Sequence, residues 1–169
     1  HCSTTSVFFT QQDNTKLDYK IPIGQGEYVW IEYRGGNPYD QQLPGTGVLV
    51  SYQDTTIDEY DDNELNVNNN RPYLKVIEAD GNNELLTGGN EGQSSDLFSN
   101  GSKFGSTGIE IRNHDGILVD WYAEVVITNQ IEIIFKSDAC ESDFNLDLPN
   151  HSVTTLPNIP IELNAYSTT

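Results

Sequence analysis

Residues 108–136 read GIEIRNHDGILVDWYAEVVITNQIEIIFK, and the alternation in this stretch decides the fold. Ile109 and Ile111 face one way while Glu110 and Arg112 face the other. Ile131, Ile133 and Phe135 stand opposite Glu132, Ile134 and Lys136. A period of two sets one face of a strand on a core and leaves the other to water. His114-Asp115-Gly116 lies between two such runs and signals a hairpin, because Asp-Gly readily takes positive φ. Asn129-Gln130 is a weaker turn signal. The runs 108–112, 116–121, 123–128 and 131–136 therefore predict a four-stranded meander.

Upstream the same grammar continues. Short apolar and β-branched runs at 6–10, 17–23, 27–33, 47–52 and 73–79 are separated by Gly, Asn, Asp and Pro clusters. No window carries a helical stripe of useful length. The expectation is an all-β chain folded as a two-sheet β-sandwich of jelly-roll-like character, ending in an extended C-terminal strand or tail. The sandwich is assigned to residues 1–140 and the tail to 141–169. Asp54 to Asn70 is too acidic and Asn-rich to bury and reads as a surface loop. In the tail, Ile159, Ile161, Leu163 and Ala165 recur at odd positions, which describes one extended strand with no hairpin partner after it. Pro157 and Pro160 bar that segment from a central ladder unless their missing amides face outward.

The chain has 169 residues, with 26 Asp and Glu against 8 Lys and Arg, for a formal net charge of −18. Such a balance speaks against nucleic acid, whose phosphates need a basic footprint, and against docking on anionic lipid. No apolar run approaches the roughly 20 residues of a membrane helix. The sequence starts at His1, contains no Met and has no basic-then-apolar leader, which reads as a processed chain or an excised fragment. Cys2 and Cys140 flank the expected sandwich, and in so acidic and polar a chain they read as an extracellular disulfide. A bridge closing so long a loop contributes on the order of 4–5 kcal/mol in the chain-entropy picture. Asn100-Gly-Ser and Asn150-His-Ser are glycosylation sequons, usable only in a secretory setting.

Few residues propose catalysis. The three histidines, His1, His114 and His151, form no H-E-x-x-H pair, so no zinc is expected, and all three read as solvated side chains. There is no G-x-S-x-G elbow, and with 26 acids no carboxylate pair stands out. Calcium is better supplied, because it takes six to eight hard oxygens. One dense stretch runs from Asp54 through Asp58, Glu59, Asp61, Asp62 and Asn63 to Glu64. A second runs from Glu78 through Asp80, Asn82, Asn83 and Glu84 to Asn90, Glu91 and Asp96. Glycines at 81, 88, 89 and 92 let the backbone of that second stretch close on an ion; neither stretch has EF-hand spacing. Against this stands the plain reading, a solvated acidic surface. Tyr28 and Trp30 share one face of a strand and Val29 and Ile31 the other. With both faces apolar, the strand reads as central, and Tyr28 and Trp30 as core.

Four blocks between Gly26 and Phe104 occur together in order: GEYVWIEYR (26–34), LPGTGVLV (43–50), VIEADG (76–81) and GGNEG…DLF (88–98). With STGIEIRN (106–113) they resemble the β-rich region downstream of the catalytic helix in immune-inhibitor-A-like secreted zinc metalloproteases. The resemblance covers about two thirds of the chain. The zinc-binding helix has no counterpart here, and where that family shows Trp-His-Ile-Asp this chain has Ser51-Tyr52-Gln53-Asp54. Members of the family bind structural calcium, and the matching positions imply Asp80, Asn90 and Asp96 as ligands, to which ligand density adds Asn82.

By elimination the expected function is a non-catalytic extracellular structural or interaction module. An alternating terminal strand suits donation to a neighbouring copy, which builds an open filament at the cell surface. Ile159, Ile161, Leu163 and Ala165 are its assembly residues, and the alternative is that they fold back as an edge strand of their own sandwich. Two rival readings are the non-catalytic C-terminal part of a secreted zinc metalloprotease and a carbohydrate-binding module using Trp30 or Trp121, with glycans as partners.

Overall fold

The computed structural model describes residues 4–9, 17–35, 40, 42–57, 65–137 and 164–167. They form the expected sandwich of two sheets. One sheet holds β1 (Thr4–Phe9), β9 (Ile131–Ser137), β8 (Trp121–Ile127), β6 (Lys103–Gly105) and β7 (Ile109–Glu110), in that spatial order. The other holds β10 (Asn164–Ser167), β2 (Leu17–Gly24), β3 (Glu27–Arg34), β4 (Gly47–Asp54) and β5 (Leu74–Ile77). Consecutive strands mostly stay in one sheet. The β2–β5 run is an antiparallel meander, and the chain then crosses to build β6 through β9.

Alternation does the packing. In β9, Ile131, Ile133 and Phe135 are buried, and in β3 Val29 and Ile31 are fully covered. Val7, Phe9, Tyr19, Ile21, Val48, Val50 and Tyr52, on the neighbouring strands, share that core. An aromatic chain continues the core. Phe98 and Phe104 lie 4.9 Å apart between ring centres, Trp121 meets Phe104 edge-on at 6.4 Å, and Phe135 lies 5.5 Å beyond Trp121. Trp121 is 2% exposed, which removes it as a sugar-binding candidate.

The expected four-strand meander is only partly formed. β8 and β9 make a regular hairpin, but 116–121 contributes one bridge, Arg112 to Leu118, before β8 starts at Trp121. β7 instead runs parallel to β6, which sequence alternation does not announce. Gly108 makes that approach possible. Its φ is +83°, and a Cβ there would stand 2.2 Å from the Lys103 carbonyl oxygen. Among the described residues the one α-helix, α1 (Glu84–Thr87), is a single turn.

Strand β3 is central, as expected, yet Tyr28 and Trp30 are not core. They are half-buried on the outer face, because the inner face is taken by Val29 and Ile31. The tail also differs from a strand without a partner in its own chain. Asn164–Ser167 pairs antiparallel with Leu17–Lys20, so Ala165 stands opposite Tyr19. Pro22 lies past the end of that pairing, where β2 tolerates a missing amide.

Candidate functional site

The chain from Ile77 to Phe98 leaves β5 and returns to the edge of β4. There Val48 and Phe98 exchange two backbone hydrogen bonds of 2.9 Å each. The Ala79 amide donates to the Asp96 carbonyl at 3.1 Å and pins the two limbs together. This closure brings Glu78, Asp80 and Asp96 into one cluster, with an oxygen from each within 4.8 Å of the others. Glu78 is 1% exposed. Its carboxylate accepts the Glu84 amide at 2.8 Å and the Leu85 amide at 2.9 Å, in the first turn of α1. Asp80 is exposed and accepts the Asn82 amide at 3.0 Å.

Asp96 is the unusual member. It is 3% exposed and ends a one-turn 3-10 segment, Ser94–Asp96. Its Oδ2 accepts the Gln93 amide at 2.7 Å, while Oδ1 is buried with no partner. Among the described residues, none of the three carboxylates pairs with a Lys, Arg or His. A buried carboxylate oxygen without a donor or cation costs about 1–3 kcal/mol or more. Three hard oxygen donors, two of them from buried groups, fit a calcium ion better than a softer metal.

Two of the four expected calcium ligands, Asp80 and Asp96, are thus brought together. Asn82 lends the cluster its backbone amide through Asp80. Asn90 is committed elsewhere: its Nδ2 donates to Glu84 Oε2 at 2.9 Å and its Oδ1 accepts the Gly92 amide at 2.7 Å. Glu78 joins the set instead. Its signal in the sequence was slight, an acid directly after a strand and two residues before Asp80. In the other acidic stretch, 58–64 lies outside the described residues.

A second group was not legible in the sequence. Glu27 opens β3 and Asp54 ends β4, so the β3–β4 register sets them opposite each other. Glu27 is 1% exposed and Asp54 is fully buried, which corrects the reading of Asp54 as the start of a surface loop. Glu27 Oε1 accepts the Tyr52 hydroxyl at 2.5 Å and the His114 amide at 2.7 Å; Oε2 lies 2.8 Å from His114 Nδ1. His114 is exposed, as expected, yet its backbone amide and Nδ1 both meet Glu27 and tie the 111–119 turn to the other sheet. Asp54 Oδ1 accepts the Thr56 amide and hydroxyl, and its Oδ2 accepts Arg71 Nε at 3.1 Å. Burial, the hydrogen bond to Glu27 and the nearby carboxylates push the Tyr52 hydroxyl well above its usual range. For Asp54, burial acts to raise the pKa, but the Thr56 bonds and Arg71 outweigh it and hold the carboxyl below its ordinary value.

Stability then has a defined acid dependence. Asp54's folded pKa is below its unfolded one, so its contribution is complete above the unfolded value and is lost as pH falls through the folded value. Urea midpoints are expected to be steady above about pH 5 and to fall below about pH 4. Asp54→Asn lowers stability at neutral pH and flattens part of that acid limb. An unaltered acid limb in the variant contradicts the assignment.

Most of the remaining sequence candidates lie outside the described residues. Asn100 is exposed and accepts the Ile127 amide at 2.7 Å; Asn150 lies outside the described residues. Cys2 and Cys140 also lie outside them, as do Ile159, Ile161 and Leu163. Thr4 and Lys136, the nearest described register pair, are partners in adjacent strands. No helix among the described residues is long and apolar enough to cross a membrane. Comparison with protein-family models, with curated proteins and with solved structures returns no match.

Proposed function

We propose that the chain is a non-catalytic extracellular β-sandwich module whose 78–98 loop is ordered by calcium. The observation that carries this is Asp96, a buried carboxylate with an unpartnered oxygen beside Glu78 and Asp80. Calcium offsets the mutual repulsion of the three carboxylates and fixes a loop that has no buried hydrophobic side chain between Glu78 and Asp96. The oxygens of Glu27 and Asp54 are committed to Tyr52, His114, Thr56 and Arg71, as in a structural tie. Melting in calcium against melting in chelator tests the metal: a rise that Asp96→Asn abolishes is expected, and an equal rise in both proteins overturns it.

Assembly with copies of itself is the second part of the reading, and the edge position of β10 favours it. Four backbone pairs hold β10 on β2, and the sequence between Ser137 and Asn164 is long. A terminal strand held in this way makes the same ladder on a neighbouring copy, at no cost in new contacts. A chain ending at residue 163 is expected to bind a synthetic 159–169 peptide saturably. The full chain is expected to form concentration-dependent oligomers in analytical ultracentrifugation. A truncated chain indifferent to the peptide, with a full chain monomeric at every concentration, overturns strand exchange.

A further inference from the structure

We infer that Lys75 is a nucleophilic amine that takes up small uncharged aldehydes as an imine, in a cavity at the open edge of the sandwich. The cavity has a volume of about 260 Å³. β5 and β7 each end their sheet, and the space between them is walled by Tyr52, Ile77, Ile109 and Ile111. Lys75 stands opposite Tyr52 on β4, as Ile77 stands opposite Val50. Residues 75 and 77 therefore share the inward face of β5. Strand patterning asks for an apolar side chain at both positions, yet the lysine is turned inward and Leu74, 45% exposed, is turned out. A local rule broken without a structural gain marks a functional position.

No ion pair supplies that gain. Among the described residues, Lys75 has neither a salt bridge nor a hydrogen bond. Its neighbour is the Tyr52 ring, whose centre lies 5.3 Å from Nζ. The other charged groups around the cavity are committed elsewhere. Glu78 spends both carboxylate oxygens on the Glu84 and Leu85 amides. Glu110 accepts Arg112 Nη2 at 2.8 Å and Nε at 3.1 Å. The Tyr52 hydroxyl donates to Glu27 and stays protonated, so it brings no charge to the amine. Burial without a counter-ion holds the Lys75 amine below the usual lysine range. The neutral amine, which is the nucleophile, is thereby populated at a lower pH than on an exposed lysine.

The cavity selects the carbonyl compound. Glu78 and Glu110 border it on a chain of net charge −18, which disfavours an anion. The isoleucine wall suits a short hydrocarbon tail. The Lys75 nitrogen lone pair attacks the aldehyde carbon, the carbonyl π pair moves to oxygen, and one nitrogen proton passes to that oxygen, giving a carbinolamine. The second nitrogen proton leaves with the oxygen as water, which breaks the C–O bond and completes the C=N bond of the imine.

The test treats the full chain with butanal and cyanoborohydride near neutral pH and maps the reduced adducts by peptide mass spectrometry. Lys75 is expected to be alkylated at least about tenfold faster than Lys20, Lys103 and Lys136. Of these, Lys20 lies 3.7 Å from the Tyr28 ring centre, and the other two pair with Glu124. In guanidinium, where the cavity is gone, the four are expected to react alike. Ile109→Glu, at a half-buried wall position, supplies the missing carboxylate and is expected to slow Lys75 at least about fivefold with the folded spectrum retained. Equal rates at the four lysines of the folded chain overturn the inference. A preference that persists in guanidinium also overturns it, because it then belongs to the local sequence, and so does an unaltered Lys75 rate in folded Ile109→Glu. If that variant does not fold, the guanidinium comparison decides alone.

Discussion

Calcium is expected to raise the melting temperature of the chelator-treated protein by about 5–10 °C. The size follows from linkage. A ligand present at a hundredfold its dissociation constant stabilises the folded state by about 2.7 kcal/mol. A domain of this size shifts by about 2–4 °C per kcal/mol. Extracellular calcium modules bind at about 0.1–1 mM, so about 10 mM calcium reaches that regime at the tight end. Asp96→Asn separates the ion from a general salt effect. In chelator the variant is expected to melt at or above the parent, because a buried charge with an unpartnered oxygen has been removed. In calcium it is expected to show no rise. Asp80→Asn, at an exposed ligand, should reduce the rise rather than abolish it. An equal rise in the parent and in Asp96→Asn contradicts the site.

The largest loss is expected from Glu27→Ala. Three donors depend on this one carboxylate: the Tyr52 hydroxyl, the His114 amide and His114 Nδ1. Removing one partner of a buried, hydrogen-bonded charged group costs about 3–5 kcal/mol, because the others are left without it. Gly24 is part of the same arrangement, since a Cβ there would come within 2.6 Å of Glu27 Oε2. Tyr52→Phe removes a single donor and is expected to cost about 1 kcal/mol. Urea unfolding gives both values, and hydrogen exchange at the His114 amide reports the local release of the 111–119 turn. A Glu27→Ala cost within about 0.5 kcal/mol, the range of surface substitutions, would mean that the network does not tie the sheets.

What could be read beforehand follows the range of the interactions. The alternation of Ile131, Ile133 and Phe135 is local, and it foretold which face of β9 is buried. The parallel contact of β6 with β7 depends on Gly108 meeting a carbonyl five residues back, and period-two patterning carries no such information. Trp30 shows the limit of hydrophobicity alone. An apolar residue on each face marked a central strand correctly, but not which face meets the second sheet. Ligand density marked the contiguous stretch in which Glu78, Asp80 and Asp96 come together, and the matching positions of the resemblance named two of these three. It could not exclude Asn90, whose side chain closes its own turn, or single out Glu78. The Glu27–His114 tie spans 87 residues, so no local pattern announced it. His114 belonged in sequence to a turn, and a turn histidine is ordinarily solvated.

The most direct measurement is calorimetric titration of the chelator-stripped full chain with calcium chloride, run beside Asp96→Asn. Saturable binding of a single calcium in the 78–98 loop, lost in the variant while its folded spectrum is retained, is the predicted result. Absence of binding in the parent at millimolar calcium, or undiminished binding in Asp96→Asn, would contradict a calcium-ordered module.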